Sequence, residues 1–235
     1  MAVIKEIQFL SESFWLKGFL HLPPVAKPPF VVGSHGLYSD KDSPKQIALA
    51  QHCNQHQIAY LRFDHRGCGQ SKAPFNDVTS LEARRNDLRA AVKILKARGD
   101  LGTQMGLFGS SMGGSVCLSV ARELAAGAVV TWAAPLRSAD LTAPQDRTNA
   151  ASKSPLERHP FDISAAIAGL RNILIFHGDA DQVVPLDHAR EIATRAGEPK
   201  KLVVFPRSDH RMSRPVDQQV FVQKAARWFQ TFLTS

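Results

Sequence analysis

The stretch "GSSMGG", residues 109–114, lies where the apolar run "TQMGLF" gives way to the helical pattern "SVCLSVARELAA". Three things place serine and glycine together at such a junction: a phosphate cradle, a plain tight turn, or a sharp turn that presents a nucleophile. A P-loop needs lysine directly after its last glycine, and Ser115 stands there instead. The dinucleotide pattern G-x-G-x-x-G is missing too, and "RGCGQSK" at 66–72 has its first two glycines but not the third. G-x-S-x-G is matched with Ser111 at its centre, between a strand pattern and a helix pattern, which is the context that motif requires. Bulkier residues at 109 and 113 would collide in so sharp a turn. The hydroxyl then stands at a helix N-terminus, where unpaired N–H groups and the positive dipole end stabilise an oxyanion. A Gly/Ser turn accounts for the pentapeptide equally well, so the rest of the chain has to decide.

A serine hydroxyl is a poor nucleophile unless a base takes its proton and an acid fixes the base's tautomer. "HGDADQVVP" (177–185) follows one strand pattern, and "RSDHRMSRP" (207–215) follows the last. Asp181 and His210 therefore fall in loops at the carboxyl ends of successive strands, on the sheet edge that carries Ser111. Open α/β sheets bind ligands at that edge.

The strand patterns are short and apolar: "FVVGSH", "IAYLRFD", "MGLFGS", "AVVTWAA", "NILIFHG" and "KLVVFP". Continuous apolar runs of this kind suit a parallel sheet covered on both faces. Before them, "IKEIQFL" and "FWLKGFLHL" flank a polar "SES" and read as an antiparallel hairpin at the sheet edge. Helical stripes alternate with the strands: Leu81, Leu88, Ala91, Val92 and Leu95 in one segment, and Val216, Val220, Trp228, Phe229 and Phe232 in another that opens on Pro215. The expected architecture is a doubly wound α/β sheet forming one domain over residues 1–235. The polar stretch 135–169 has no strand pattern and is too long for a simple connection, so a short cap insertion is expected there.

Composition is that of an ordinary globular chain, 44% apolar and 21% charged over 235 residues. The net charge of +8 is dispersed, and the densest cluster, "EARRNDLRAAVKILKAR", interleaves acids and apolar residues, which reads as the solvated face of a helix. No nucleic-acid partner is expected from it. Cys53, Cys68 and Cys117 have no paired spacing, the opening residues do not resemble a signal peptide, and no apolar run nears the roughly 20 residues a membrane span needs. A cytoplasmic protein with no membrane association is expected. Both a monomer and a homodimer are compatible with the sequence.

Taken together, these motifs resemble the α/β-hydrolase superfamily over nearly the whole chain, on its small serine-esterase, acyl-aminopeptidase-like and feruloyl-esterase-like branch. "GSHGLYSD" resembles its H-G-x loop after the third strand, and "FDHRGCGQS" its D-x-R-G-x-G-x-S segment after the fourth. "GSSMGG" matches the nucleophile elbow, "HGDADQVVP" the H-G-x-x-D-x-x-V-P acid segment, and "SDH" the histidine site. The resemblance implies Ser111 as nucleophile, His210 as general base and acid, Asp181 as orienting acid, and the backbone N–H groups of Leu37 and Met112 as the oxyanion hole. It favours Asp181 over its neighbour Asp179, which is expected to stabilise the loop. It implies no cofactor and no metal.

The expected reaction is hydrolysis of a carboxylic ester, or a related acyl bond, of a small to medium substrate through an acyl-enzyme. Perhydrolysis, acyl transfer and peptide cleavage use the same three residues. A non-catalytic ligand-binding scaffold is the alternative that a complete Ser-Asp-His set argues against. The remaining chemistry-bearing residues read as structural. His35 and His177 close strands, Asp209 points away from its neighbour, and Cys117 packs inside, with Cys68 expected in an exposed loop. His52 and His56, four apart on a helix, have metal-ligand spacing but no third ligand. Arg137, Arg147 and Arg158 in the cap stretch read as surface charge, with contact to a substrate carboxylate as the alternative.

Overall fold

Residues Phe30–Ser34 and Ala59–Phe63 are buried at every position, which a strand tolerates only where both its faces are covered. The computed structural model, which describes residues 2–142 and 154–234, provides that cover. The strands are β1 (Val3–Ser11), β2 (Phe14–Leu22), β3 (Phe30–Ser34), β4 (Ala59–Phe63), β5 (Met105–Ser110), β6 (Ala128–Trp132), β7 (Ile173–Gly178) and β8 (Lys200–Phe205). They form one eight-stranded sheet in the order β1-β2-β4-β3-β5-β6-β7-β8. The β1–β2 hairpin is antiparallel and joins β4 antiparallel, while β3 to β8 run parallel.

Side chains alternate between two cores, as the strand period requires. Phe30, Val32, Leu107, Ile173 and Ile175 pack on one face, and Val31, Tyr60, Phe108, Leu174 and Phe176 on the other. The helices are α1 (Pro44–Gln55), α2 (Phe75–Val78), α3 (Leu81–Lys96), α4 (Met112–Val120), α5 (Pro155–Arg158), α6 (Leu186–Arg195) and α7 (Pro215–Leu233). α1 and α7 cover the second face, and α3, α4 and α6 cover the first.

The α3 stripe is buried as expected, with Ser80 capping the helix by accepting from Ala83 N at 3.1 Å. Its charges are not all solvated, however. Arg84 and Asp87 are fully buried, because spacings of three and four residues from Leu81, Leu88 and Ala91 put them on the apolar face. Arg85 and Arg89 do lie on the outer face, paired with Glu82 and Glu123. In α7 the buried stripe is Phe221, Val222, Ala225, Ala226, Phe229 and Leu233. Val216 in the first turn points to solvent, 52% exposed, and Val220, Trp228 and Phe232 sit at the stripe's margin.

Among the described residues, the stretch after β6 holds short helical turns at Ser138–Asp140, α5 and Ser164–Ala166, with one isolated bridge between Arg137 and Asp162. No described helix is long and apolar enough to cross a membrane.

The helix that follows β5 is pressed onto the end of β3. A Cβ on Gly113 would lie 2.1 Å from the Ser34 carbonyl oxygen. Helix propensity alone favours alanine over glycine by about 1 kcal/mol. The clash reverses the sign, so Gly113→Ala is expected to destabilise the protein by about 1–3 kcal/mol. Urea unfolding measures this, and unchanged or raised stability would contradict the packing described.

Candidate active site

Ser111 is the single residue between the end of β5 and the start of α4, at φ 53° and ψ −127°. L side chains rarely occupy that region, and the surroundings have to impose it. Ser111 N donates to Trp132 O at 2.7 Å, and Gly114 N donates to Ser111 O at 2.7 Å. A Cβ on Gly109 would lie 2.3 Å from Gly113 O, so only glycine fits on the inside of the turn. The Ser111 side chain does not cap α4, which leaves its hydroxyl for another partner. That partner is His210, with Nε2 3.1 Å from Ser111 Oγ. His210 Nδ1 lies 2.8 Å from Asp181 Oδ2. Because the carboxylate can only accept, Nδ1 carries the proton and Nε2 offers a lone pair to the Ser111 hydroxyl. The three sequence-derived residues form one hydrogen-bonded chain.

Asp181 is fully buried at its side chain. Burial pushes its carboxyl up, but the hydrogen bond from His210 and those from the Val184 and Val183 amides outweigh it and hold the group below the ordinary carboxylate value. The two amides reach Oδ1 at 2.8 and 2.9 Å. Asp179 faces outward and accepts from Arg207 N at 2.5 Å, and Asp209 is bound to Ser213 N and Oγ at 2.8 and 2.6 Å. Of the three neighbouring carboxylates, Asp181 is the one that meets His210.

The loops carrying Asp181 and His210 approach unusually closely. A Cβ on Gly178 would lie 2.0 Å from Ser208 O, and Ala180 N donates to that same oxygen at 3.1 Å. Two further groups, which no motif marked, pin the histidine loop. Trp132 Nε1 donates to His210 O at 2.8 Å, and Lys45 Nζ donates to Arg211 O at 3.0 Å. Burial pulls the Lys45 ammonium down to about 8, against the attraction of Asp209 and Asp181. Trp132 reads in the sequence as one more apolar strand residue, and Lys45 as a helix-surface cation.

The remaining candidates fall around this core. A Cβ on Gly36 would be 3.5 Å from Ser111 Cβ, which sets the His35–Leu37 loop beside that serine. Leu37 N–H bonds no backbone carbonyl among the described residues, and Met112 N–H, first in α4, has no intrahelical acceptor. His35 and His177 make hydrogen bonds to Gly36 O (2.8 Å) and Val184 O (2.9 Å), as structural residues do. His52 Nδ1 is spent on Ala48 O at 3.0 Å. Cys117 is fully buried with its thiol pushed up by desolvation. Cys68 corrects the sequence reading: at 6% exposure it lies inside, because the loop after β4 folds back and its sulfur meets Arg84 Nη2 at 3.4 Å.

A cavity of about 790 Å³ opens over Ser111 and His210. Leu37 and Met112 line it, with Leu141, Leu156, Phe161 and Val183 as an apolar wall. Arg137 is paired with Asp140 and Glu191 at 2.7 and 2.9 Å, and Arg158 with Asp77 at 3.9 Å. Both are partly exposed surface ion pairs directed away from the cavity lining. Arg147 lies outside the described residues.

Comparison with known proteins places the chain in a family. Residues 28–155, which include Ser111, match the family described as serine aminopeptidase, S33. The chain belongs to that family. Its relatives include the uncharacterized protein YfhR of Escherichia coli O157:H7, 30% identical over 159 residues, 63% of this chain and 51% of the relative. The chain thus spans about half the length of that curated relative. Among solved structures, the esterase domain of a Rhodothermus marinus protein is similar with 25% identity and a TM-score of 0.77, over 98% of this chain and 99% of that one. Est1E from Butyrivibrio proteoclasticus, solved with ferulic acid bound, is similar with 18% identity and a TM-score of 0.82, over 97% and 100%. The fold is that of the α/β-hydrolases.

The depressed Asp181 carboxyl ties the site to stability. A carboxyl held lower in the folded than in the unfolded chain contributes stability above the unfolded value, about 3.9, and loses it as pH falls further. Asp181→Asn is therefore expected to flatten the acid limb of the thermal midpoint against pH. Coincident limbs for variant and wild type would contradict this.

Proposed function

We propose that the chain is a serine hydrolase that cleaves a carboxylic ester, or a related acyl bond, of a small to medium substrate through a covalent acyl-enzyme. The observation that carries this reading is the continuous hydrogen-bonded chain from Ser111 through His210 to a buried, ionised Asp181. In the forward step His210 Nε2 takes the hydroxyl proton as Ser111 Oγ attacks the carbonyl carbon. Asp181 keeps the proton on Nδ1 and stabilises the imidazolium that forms. The oxyanion forms beside the N–H groups of Leu37 and Met112. His210 then returns its proton to the leaving alkoxide, and a water activated the same way releases the acyl group.

The cavity supports a substrate with an apolar portion seated against Leu141, Leu156, Phe161 and Val183. Leu141, Leu156 and Phe161 come from the 135–169 stretch, which we read as a short cap on a single domain. The serine aminopeptidase family and the similar esterase domain of the Rhodothermus marinus protein support this acyl-transfer chemistry. Ester cleavage is favoured because an alkoxide leaving group demands least of the site.

A fluorophosphonate probe is expected to label one residue, Ser111, located by mass spectrometry, with labelling lost in Ser111→Ala and His210→Ala. A wild-type protein that takes no label would overturn the reading. On p-nitrophenyl esters, Asp181→Asn is expected to lower kcat about 10⁴-fold, as tautomer loss does in such triads. Asp179→Asn should stay within about threefold of wild type, because its carboxylate faces outward and accepts from Arg207 N. Equal losses in the two variants would sink the assignment of Asp181.

A further inference from the structure

Arg84 is fully buried, yet its hydrogen-bond partners are all neutral. Nη1 donates to His35 O at 3.1 Å and Gly36 O at 3.2 Å. Nη2 donates to Leu37 O at 2.9 Å and Cys68 Sγ at 3.4 Å, and Nε finds no partner. Burying a guanidinium without a carboxylate against it is costly. The target of its fork is also specific: the carbonyls of His35, Gly36 and Leu37 form the loop that lies against Ser111.

The Gly36–Leu37 peptide is the unit to follow. Its carbonyl oxygen is Gly36 O and its N–H belongs to Leu37, and in a trans peptide these point in opposite directions. Gly36 O receives a second donor as well. His65 N donates to His35 Nε2 at 3.1 Å, which leaves the proton on His35 Nδ1, 2.8 Å from Gly36 O. With Arg84 and His35 drawing the carbonyl inward, the Leu37 N–H must point the opposite way, and Leu37, Ser111 and Met112 line the same cavity. Donation into the carbonyl also polarises the peptide and makes its N–H a stronger donor.

We infer that Arg84 is a positioning residue of the oxyanion hole: its buried guanidinium, working through the Gly36–Leu37 peptide, aims and strengthens the Leu37 N–H. It touches no substrate atom. With Ser111 as the nucleophile proposed above, its effect falls on the transition state, where oxygen bears charge, and not on ground-state binding.

The test uses Arg84→Met and Arg84→Lys, with folding verified by urea unfolding. Turnover of p-nitrophenyl acetate is measured alongside inhibition by a trifluoromethyl ketone, which forms a charged hemiketal on serine, and by the matching secondary alcohol, which cannot. Losing a whole oxyanion donor lowers kcat about 10²–10³-fold, so weakening one should lower it about 10- to 100-fold in Arg84→Met. KM and the alcohol's Ki are expected to stay within about threefold, while the ketone's Ki rises in step with the kcat loss. Arg84→Lys, which keeps the charge but loses the fork, is expected to fall between. A folded Arg84→Met with wild-type kcat, or an equal rise in both Ki values, overturns the inference and leaves a merely structural arginine. If Arg84→Met does not fold, Arg84→Lys is judged by the same two criteria. A wild-type protein that neither turns over the ester nor takes the fluorophosphonate at Ser111 instead overturns the hydrolase reading, and this inference with it.

Discussion

The contact between the first turn of α4 and the carboxyl end of β3 fixes the geometry of the site. Gly113 lies so close to the Ser34 and His35 carbonyls that no side chain can intervene, and Gly109 is equally close to Gly113. Squeezed from both sides, the backbone turns at Ser111 through a conformation that costs roughly 1–3 kcal/mol. Packing and two short hydrogen bonds to the Ser111 peptide groups hold it there. The same contact brings the His35–Leu37 loop against the serine, so Ser111 and the loop beside it are set by one piece of packing. This is possible because β3 and β5 are sheet neighbours despite their separation in sequence.

The other half of the site depends on a second close approach. Gly178 lets the end of β7 abut Ser208, and the two loops beyond these residues exchange backbone hydrogen bonds. Trp132, the buried last residue of β6, reaches from there to hold the His210 carbonyl. An indole rooted in packed apolar side chains is a stiff support, and the imidazole inherits that stiffness. Asp181 then needs only one oxygen for His210, since its other oxygen is satisfied by the amides of Val183 and Val184.

Much of this was legible in the amino-acid sequence, for identifiable reasons. Strands buried on both faces leave uninterrupted apolar runs, and a nucleophile elbow leaves glycines at fixed offsets, so Ser111 could be placed before any coordinates. Asp181 and His210 could be placed because loops that follow parallel strands share an edge. What escaped notice were polar groups on apolar stripes. Arg84 and Asp87 occupy α3 positions in phase with Leu81, Leu88 and Ala91, and their spacing was visible while their charge argued for solvent. Lys45 and Trp132 act through backbone carbonyls of a distant loop, a kind of partnership that leaves no pattern in side-chain types. Cys68 was misjudged because the loop around it folds back over α3's arginine, a tertiary event with no local signal.

The long crossings of the sheet carry a consequence for how the site is assembled. Ser111 and His210 are 99 residues apart, and the strand that delivers the histidine lies at the end of the sheet, paired with β7. Contacts of such range close a long loop, and the entropy of that closure has to be offset by the packing it brings. Without β8 in place, Ser111 has no His210 beside it. The hydrogen bond between Ser111 and His210 therefore needs β8 in its place beside β7, so it reports that the far edge of the sheet has closed.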